Sequence, residues 1–350
     1  MTPRERVLTA FEHQEPDRVP MWCGSSAEFW DKAKRELQLG DEELRVRFHD
    51  DFRRVWHRDT APQSPFKYPE ATCRTPFGVE RHGMGYGQPL EHPLADATLK
   101  QIHNYPWPDP AWADVSQIES EARSWRGHYA ILGGAWSPFF HDAIDLLGME
   151  NMMLKMHDSP AVVDAVLKHL VDYYVSVSQR IFDAAAAAID IFFIGNDFGS
   201  QIGPLVGEKQ FRRFFLPHLQ RLIELGHDYR LKVMLHCCGG FAPLIPAMIE
   251  ARLDALHAVQ PSCRTMDLKK LKADFGHKMV FNGAIDSHHV LINGTPDTVR
   301  RRTREVLDIM MPGGGYIAGA SHDSILEETP VENVVAMFDT VEEYGRYKRN

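Results

Sequence analysis

The 350-residue chain lacks the features that would tie it to a membrane or to nucleic acid. No window of about 18 residues is both apolar and uncharged. The opening residues Met1–Glu5 contain no apolar signal segment. Arginine and lysine form no basic block, and the formal net charge is −9. We therefore expect a cytoplasmic protein whose partners are neither nucleic acid nor an anionic membrane.

Cysteine is scarce, with five residues at positions 23, 73, 237, 238 and 263. The number is odd and the spacing shows no paired framework, so disulfides are not expected and the thiols stay available to bind a metal. Nucleotide-binding motifs are also missing: neither GxGxxG at a strand–helix junction nor GxxxxGK[ST] occurs. Nucleotide binding therefore has no support.

Short apolar runs alternate with longer helical patterns along the chain. The runs predict eight strands: Val19–Trp22, Phe52–Trp56, Tyr129–Gly133, Asp190–Ile194, Lys232–Leu235, Ala255–Val259, Met279–Phe281 and Tyr316–Ala318. Helices are predicted over Arg4–His13, Ala161–Ala187, Glu208–Tyr229, Asp267–Phe275 and Pro296–Met310. This alternation favours a (β/α)8 TIM barrel with a helical N-terminal extension, as a single domain over residues 1–350. A doubly wound open sheet is the alternative.

Residues 60–100 interrupt the alternation. They hold several prolines and glycines, and the run Thr75–Gly87 is rich in glycine. We predict a hairpin or loop lid inserted between the second and third strands. Three prolines in Tyr105–Pro110 exclude a helix there and predict an extended connector.

The most informative motif is Val233–Gly240, where an apolar strand pattern ends in His236, Cys237 and Cys238 before two glycines. Imidazole nitrogen and thiolate sulfur are ligands that zinc prefers. In an extended strand end, residues two apart share a side, so His236 and Cys238 would face one point and Cys237 the barrel wall. The alternative is a buried histidine beside two inert thiols.

Polar and aromatic residues follow the other predicted strands, and in a barrel these loops build the active site. His322 is a candidate third ligand, with Ser321 or Asp323 setting its tautomer, because two histidines and one thiolate leave a catalytic zinc one open position. Asp197 would orient a substrate or act as acid or base; its alternative is a helix cap or turn. Further candidates for substrate contact are Trp22, Tyr86, Trp136, Phe139, Asn196, Gln260 and Asn282.

Several short motifs occur in a fixed order along the chain. They are Arg4–Leu8, Asp17–Pro20, Asn196–Gly199, Phe214–Pro217, His236–Gly239, Gly283–Asp286, Gly313–Ile317, Ser321–Asp323 and Thr329–Asn333. Together they resemble the uroporphyrinogen decarboxylase superfamily over essentially the whole chain, which implies a (β/α)8 barrel. One feature differs: the arginine-rich first-strand loop of the porphyrinogen decarboxylase is replaced by Met21–Ser26, without arginine, so decarboxylation of a tetrapyrrole is not expected.

Within this superfamily the chain is more similar to the zinc-dependent, corrinoid-linked methyltransferases. The thiol-methylating members use His-x-Cys and a late cysteine as zinc ligands. His236 and Cys238 match the first part, and His322 stands in the loop of the absent cysteine. The resemblance implies Zn2+ on these three residues and cobalamin carried by a separate corrinoid protein. Imidazole in place of thiolate makes zinc a stronger Lewis acid, which suits a small methoxy compound as methyl donor.

Three other functions stay open at this point. One is a metal-free decarboxylase or lyase in which Asp197 stabilises a cationic intermediate. The second is a methylcobalamin:thiol methyltransferase, and the third is a barrel that binds a ligand or a corrinoid protein without chemistry. The sequence decides neither the direction of methyl transfer nor the oligomeric state, for which a homodimer is one alternative.

Overall fold

The computed structural model describes residues 1–62, 64–83 and 87–348. Its main sheet is parallel and curled, and neighbouring strands follow one another in chain order. The strands are β1 Phe52–Arg54, β2 Ala130–Gly133, β3 Ile191–Gly195, β4 Lys232–His236, β5 Ala255–Val259, β6 Val280–Ile285 and β7 Tyr316–Ala320. With helices packed around this sheet, the chain has a TIM-barrel-like α/β fold, and the prediction of this fold is confirmed.

The place of the eighth strand is taken by a short bridge and not by a regular strand. Met21 forms an isolated parallel bridge with Ala318 of β7, and Asp51, just before β1, donates its N–H to the Met21 carbonyl at 3.0 Å. These bonds connect the two outer strands of the sheet. The predicted strand Val19–Trp22 is therefore wrong as a regular element, since Pro20 has no N–H to extend a ladder.

The helices agree closely with the patterns read from the sequence. The N-cap of α1 is Thr2, whose side chain accepts from the Glu5 N–H. The π-helical turn Phe211–Phe215 joins α9 to α10, so the predicted helix over Glu208–Tyr229 is one continuous helical run. The helices are α1 Pro3–Phe11, α2 Ala27–Leu37, α3 Asp41–Arg47, α4 Leu99–His103, α5 Ile118–Arg126, α6 Phe139–Leu147, α7 Met149–Asp158, α8 Pro160–Ala185, α9 Glu208–Gln210, α10 Leu216–Asp228, α11 Ile245–Glu250, α12 Leu268–Phe275, α13 Pro296–Met310 and α14 Val331–Tyr344.

Two apolar layers surround the sheet. Phe52, Leu132, Phe193 and other inner-face side chains form a compact cluster inside it, and a larger cluster lies between the sheet and the helices. Because alternate residues of a strand point to opposite faces, Arg54 shares the inner face with Phe52. An arginine therefore stands at the carboxyl end of β1, inside the mouth of the barrel.

The insertion over 60–100 contains a small antiparallel sheet. Its strands are Cys73–Arg74, Glu80–His82 and Gln88–Pro89. Arg81 Nε donates to Asp145 Oδ2 of α6 at 2.7 Å, which attaches this sheet to the barrel. In the part of the chain that the structure describes, no helix combines the length and the apolar character needed to cross a bilayer.

Candidate active site at the mouth of the barrel

Glycine shapes the turn that follows β4. Gly239 has a φ of +90°, and a Cβ on it would lie 2.4 Å from the backbone of the loop after β3, so only glycine fits. Its N–H donates to Gln260 Oε1 at 2.7 Å, and the Cys238 N–H donates to Asp197 Oδ1 at 2.6 Å. These bonds hold Cys238 Sγ 3.4 Å from His236 Nε2.

Three metal-type donors meet at this turn. One ligand atom each of Asp197, His236 and Cys238 lies within 4.8 Å of the others, and His236 Nε2 is 3.3 Å from Asp197 Oδ1. Tetrahedral zinc, with bonds of about 2.1 Å to nitrogen and about 2.3 Å to sulfur, separates two ligand atoms by about 3.3 to 3.6 Å. The nitrogen, sulfur and oxygen donors therefore fit a zinc ion.

His322, which the sequence predicts as a third zinc ligand, does not lie in this group of donors. Among the described residues, it is absent from both sets of donors close enough to share an ion. Its Nδ1 lies 2.9 Å from the Ser324 carbonyl oxygen and 3.2 Å from the Ser324 nitrogen. The His322 ring is thus bonded to the backbone of the turn after β7, and the carboxylate of Asp197 is the group that lies beside His236 and Cys238.

The other ring nitrogen of His236 faces a second histidine. His236 Nδ1 lies 3.1 Å from His257 Nδ1, and Asp323 Oδ1 lies 4.0 Å from the same His257 atom. Complete burial, followed by the charge of His236, holds the pKa of His257 well below its ordinary value, so this ring is neutral. A neutral His257 that accepts the Nδ1–H of His236 leaves His236 Nε2 to the metal-type group.

The ionisation states of the group follow from its contacts. Burial raises the pKa of Asp197, but hydrogen bonds from His141 and His236 outweigh it and hold that pKa well below the ordinary value. Burial lowers the pKa of His236, yet Cys238 and Asp197 hold it well above the usual range. Burial raises the pKa of the Cys238 thiol. A metal must therefore displace protons from His236 and Cys238, which makes its binding weaker at low pH.

Two cavities open at the mouth of the barrel, and Trp136 borders both. One, of about 510 Å3, lies between the inserted sheet and the donors, with Gln88 on one side and His236 on the other. The other, of about 720 Å3, has Arg54 and Trp22 in its wall. Asp197 and His236 line the smaller cavity directly. The larger cavity contacts none of the three donors, and its nearest link to them is the Trp136 ring, which packs 5.5 Å from the His236 ring.

The aromatic candidates divide between the site and the core. Trp22 and Trp136 line the cavities, which agrees with an apolar wall around a substrate. Phe139 is fully buried in the core between sheet and helices and lines neither of these two cavities. Tyr86 lies outside the described residues.

The amide candidates are used mainly by the protein itself. Asn196 accepts from the Phe140 N–H and donates to the Ser137 carbonyl, each over about 3 Å. The amide oxygen of Gln260 holds the turn after β4, and Asn282 is fully buried inside the barrel. Asn196 nevertheless lines the smaller cavity beside Asp197 and His236, so substrate contact by Asn196 and Gln260 stays a prediction.

Sequence analysis missed two histidines that touch the group. His141 Nε2 lies 3.4 Å from Asp197 Oδ2, and His257 faces His236. A signal for His257 did exist, because in parallel neighbouring strands the two histidines occupy paired positions of β5 and β4. His141, on the first turn of α6, has no comparable pattern.

Comparison with known proteins identifies the family of this chain. The model of the uroporphyrinogen decarboxylase (URO-D) family matches residues 93–344. The chain belongs to this family. The uroporphyrinogen decarboxylase of Mannheimia succiniciproducens is 21% identical over 276 residues, covering 75% of this chain and 73% of its own. The resemblance seen in the sequence motifs is thereby confirmed.

Methyltransferases stand among the relatives as well. The methylated-thiol–coenzyme M methyltransferase of Methanosarcina mazei is 23% identical over 282 residues, covering 75% of this chain and 72% of its own. The methylcobamide:CoM methyltransferase MtbA of the same organism is 20% identical and spans 98% of both chains. A solved methyltransferase structure from Methanosarcina mazei aligns with a TM-score of 0.70 at 19% identity, covering 98% of this chain and 99% of that one, and supports the fold.

Proposed function

We propose that this protein is a zinc-dependent methyltransferase that moves a methyl group from a small methoxy compound to the cobalt of a separate corrinoid protein. The observation that carries the proposal is the group of Asp197, His236 and Cys238, whose donor atoms lie within 4.8 Å of one another at the barrel mouth. A full-length relative named as a methylcobamide:CoM methyltransferase supports the corrinoid partner.

His236, Cys238 and Asp197 would hold the zinc, which when bound supplies Lewis acidity toward an ether oxygen. Trp136 would support the flat face of the substrate beside the imidazole of His236. His141, 3.4 Å from the second carboxylate oxygen, keeps Asp197 oriented and ionised. In the transfer, the methyl–oxygen bond breaks with its electron pair on oxygen, and reduced cobalt supplies the pair for the new cobalt–carbon bond.

The second candidate is a metal-free lyase of the decarboxylase type. It is favoured by the contact between Asp197 and His236, which forms a charged pair without any metal. Such a pair could stabilise a cationic intermediate. A lyase of this kind would not need the thiol of Cys238, so loss of that thiol should abolish only the methyltransferase activity.

The test combines metal analysis with a transfer assay. After expression with added zinc, we expect stoichiometric zinc in the purified protein and methylation of free cob(I)alamin from a panel of methoxyarenes. His236→Ala and Cys238→Ala should abolish both while the far-ultraviolet circular dichroism stays that of the folded protein. Protein that remains free of zinc and inactive toward the whole panel would refute the methyltransferase and leave the lyase.

A further inference from the structure

Two arginines follow neighbouring helices at the amino ends of β4 and β5, the end of the barrel opposite the metal-type group. Arg230 follows α10 with a φ of +62°, and Arg252 follows α11 with a φ of +66°. The N–H of each arginine bonds three residues back, and the next N–H, of Leu231 or Leu253, bonds five residues back. This is the Schellman ending of a helix, in which glycine is the usual residue at the left-handed position. The backbone therefore gives no reason for an arginine at either position.

The two arginine side chains line one surface pocket of about 350 Å3. Among the described residues, neither guanidinium makes a hydrogen bond or an ion pair. His13, another residue with a left-handed φ at a helix end, does use its side chain, since its Nδ1 lies 3.1 Å from the Gly276 carbonyl oxygen. The pocket is lined by His227, Arg230, Leu231, Lys232, Arg252 and Asp254.

The other charged groups of this pocket already have partners. Asp254 Oδ2 accepts the Val233 N–H at 2.8 Å and lies 2.8 Å from His227 Nε2, and Lys232 Nζ lies 2.8 Å from Glu12 Oε1. The other ring nitrogen of His227, Nδ1, is buried and has no partner among the described residues. Two guanidinium charges and one imidazole nitrogen thus remain for a ligand, in a chain whose net charge is −9.

We propose that this pocket binds a phosphate group, either of a small phosphate monoester or of inorganic phosphate, between Arg230 and Arg252. Two guanidinium forks from separate turns can donate to different oxygens of one tetrahedral anion, whereas a planar carboxylate is satisfied by one fork. The pocket volume lies within the range of about 300 to 1,000 Å3 that is usual for ligand pockets. It therefore leaves room for the organic part of an ester. The site is separate from the barrel mouth and independent of the proposed methyl transfer.

Isothermal titration calorimetry of the purified full-length protein tests this assignment with glycerol 3-phosphate, inorganic phosphate and succinate. We expect at least one phosphate compound to bind at least tenfold more tightly than succinate, and Arg230→Gly and Arg252→Gly each to weaken it at least tenfold. Gln38→Gly makes the same exchange at a left-handed position (φ +56°) at the end of α2, outside the pocket. It is the matched control and should leave the affinity within twofold. Tighter binding of glycerol 3-phosphate assigns the site to an ester, and tighter binding of inorganic phosphate assigns it to the free ion.

Thermal unfolding separates phosphate binding from a purely structural role of the two arginines. Arginine at a helix end also complements the partial negative charge of the last carbonyl groups. If this is its only role here, both glycine variants unfold at a lower temperature and bind phosphate normally, which would overturn the proposal. We expect instead that Tm without ligand stays the same or rises, because glycine adopts the left-handed conformation more readily, and that stabilisation by phosphate disappears. Succinate binding as tight as that of phosphate, or no binding of either phosphate compound, would also overturn the proposal.

Discussion

The two sides of the barrel mouth are built from different chemistry. On the side of β3 and β4, three polar donors lie within 4.8 Å of one another, and backbone N–H groups and a second histidine hold them in place. On the side of β1 and β2, one guanidinium lies among indole and phenyl rings around a cavity of about 720 Å3. The first side is compact and polar, and the second is open and aromatic.

This difference has a physical origin in the turns. After β4, Gly239 allows the backbone to fold back so closely that adjacent loops nearly touch, which concentrates short side chains at one point. After β1 the chain continues through Trp56, whose exposed ring covers Arg54. The tight turn after β4 therefore brings short side chains close together, whereas the long side chains of Arg54 and Trp56 after β1 leave a cavity beside them.

The largest effect is expected from exchanging sulfur for oxygen in the donor group. Cys238→Ser should lower zinc affinity more than the about 10- to 100-fold that loss of an outer partner costs, because the thiolate is itself a ligand. Cys237→Ser is the matched control: its Sγ accepts from the Phe198 N–H at 3.3 Å, away from the group. Zinc competition with a chromophoric chelator measures both. Equal losses in the two variants would show that the thiol of Cys238 has no special role.

The next test compares two candidates for the third zinc ligand. Asp197 lies beside His236 and Cys238 in the structure, and His322 is the residue expected from the sequence. Asp197→Ala should weaken zinc binding about 100-fold, since it removes a donor and the acceptor of the Cys238 N–H. His322→Ala should change the affinity less than threefold, because its ring is bonded to Ser324. The same chelator assay applies. The reverse pattern would mean that the loop after β7 rearranges to bring His322 to the metal.

The donor group shows which contacts can be predicted from a sequence and which cannot. His236 and Cys238 face the same side because side chains alternate along an extended strand. This alternation is local, so it can be predicted from the sequence. Which loop residue comes to meet them depends on a turn bonded to its own backbone, as at His322, and no periodicity encodes that. The fold was predictable from the repeated alternation of strands and helices, whereas the proximity of Asp197 to His236 and Cys238 was not.

The side of the mouth next to β1 was harder to predict for a related reason. Arg54 stands in a run of two arginines, Arg53 and Arg54, and only the pleat of β1 sends one outward and the other inward. Asn196 has the polarity of a mouth residue, but its amide oxygen and its amide nitrogen each already make a hydrogen bond to the backbone. Residue type identifies candidates, whereas the contacts between neighbouring loops decide which of them stay available to a ligand.

A smaller effect is expected at the histidine behind the donor group. His257→Phe removes the acceptor for His236 Nδ1 and should weaken zinc binding about tenfold, within the range typical of outer partners. His257→Gln, which keeps an acceptor, should recover most of the loss. Affinity measured by chelator competition, together with circular dichroism as a folding control, checks both variants. Identical affinities in the two would assign His257 a packing role among Trp22 and Phe193.

The smallest effect is expected where the inserted sheet is attached to α6. Asp142 is buried on α6, accepts from the Tyr174 hydroxyl at 2.5 Å and lies 3.9 Å from Arg81 of that sheet. Burial raises the pKa of its carboxyl to about 7. The folded protein then keeps a proton that the unfolded chain releases above its ordinary pKa of about 4. Because the folded protein binds this proton more tightly than the unfolded chain, the free energy of unfolding is highest at low pH and declines as the pH rises from about 4 toward 7.

Asp142→Asn should therefore leave stability nearly unchanged at pH 4 and increase the free energy of unfolding by about 1 kcal/mol or more at pH 8, since one pKa unit corresponds to about 1.4 kcal/mol. Urea unfolding at the two pH values measures the difference. Asp158→Asn, at the end of α7, is the control and should show no such pH dependence. A variant less stable than the parent at pH 8 would mean that the ionised carboxylate is needed by Arg81, and that the charge of Asp142 helps to hold the inserted sheet against the barrel.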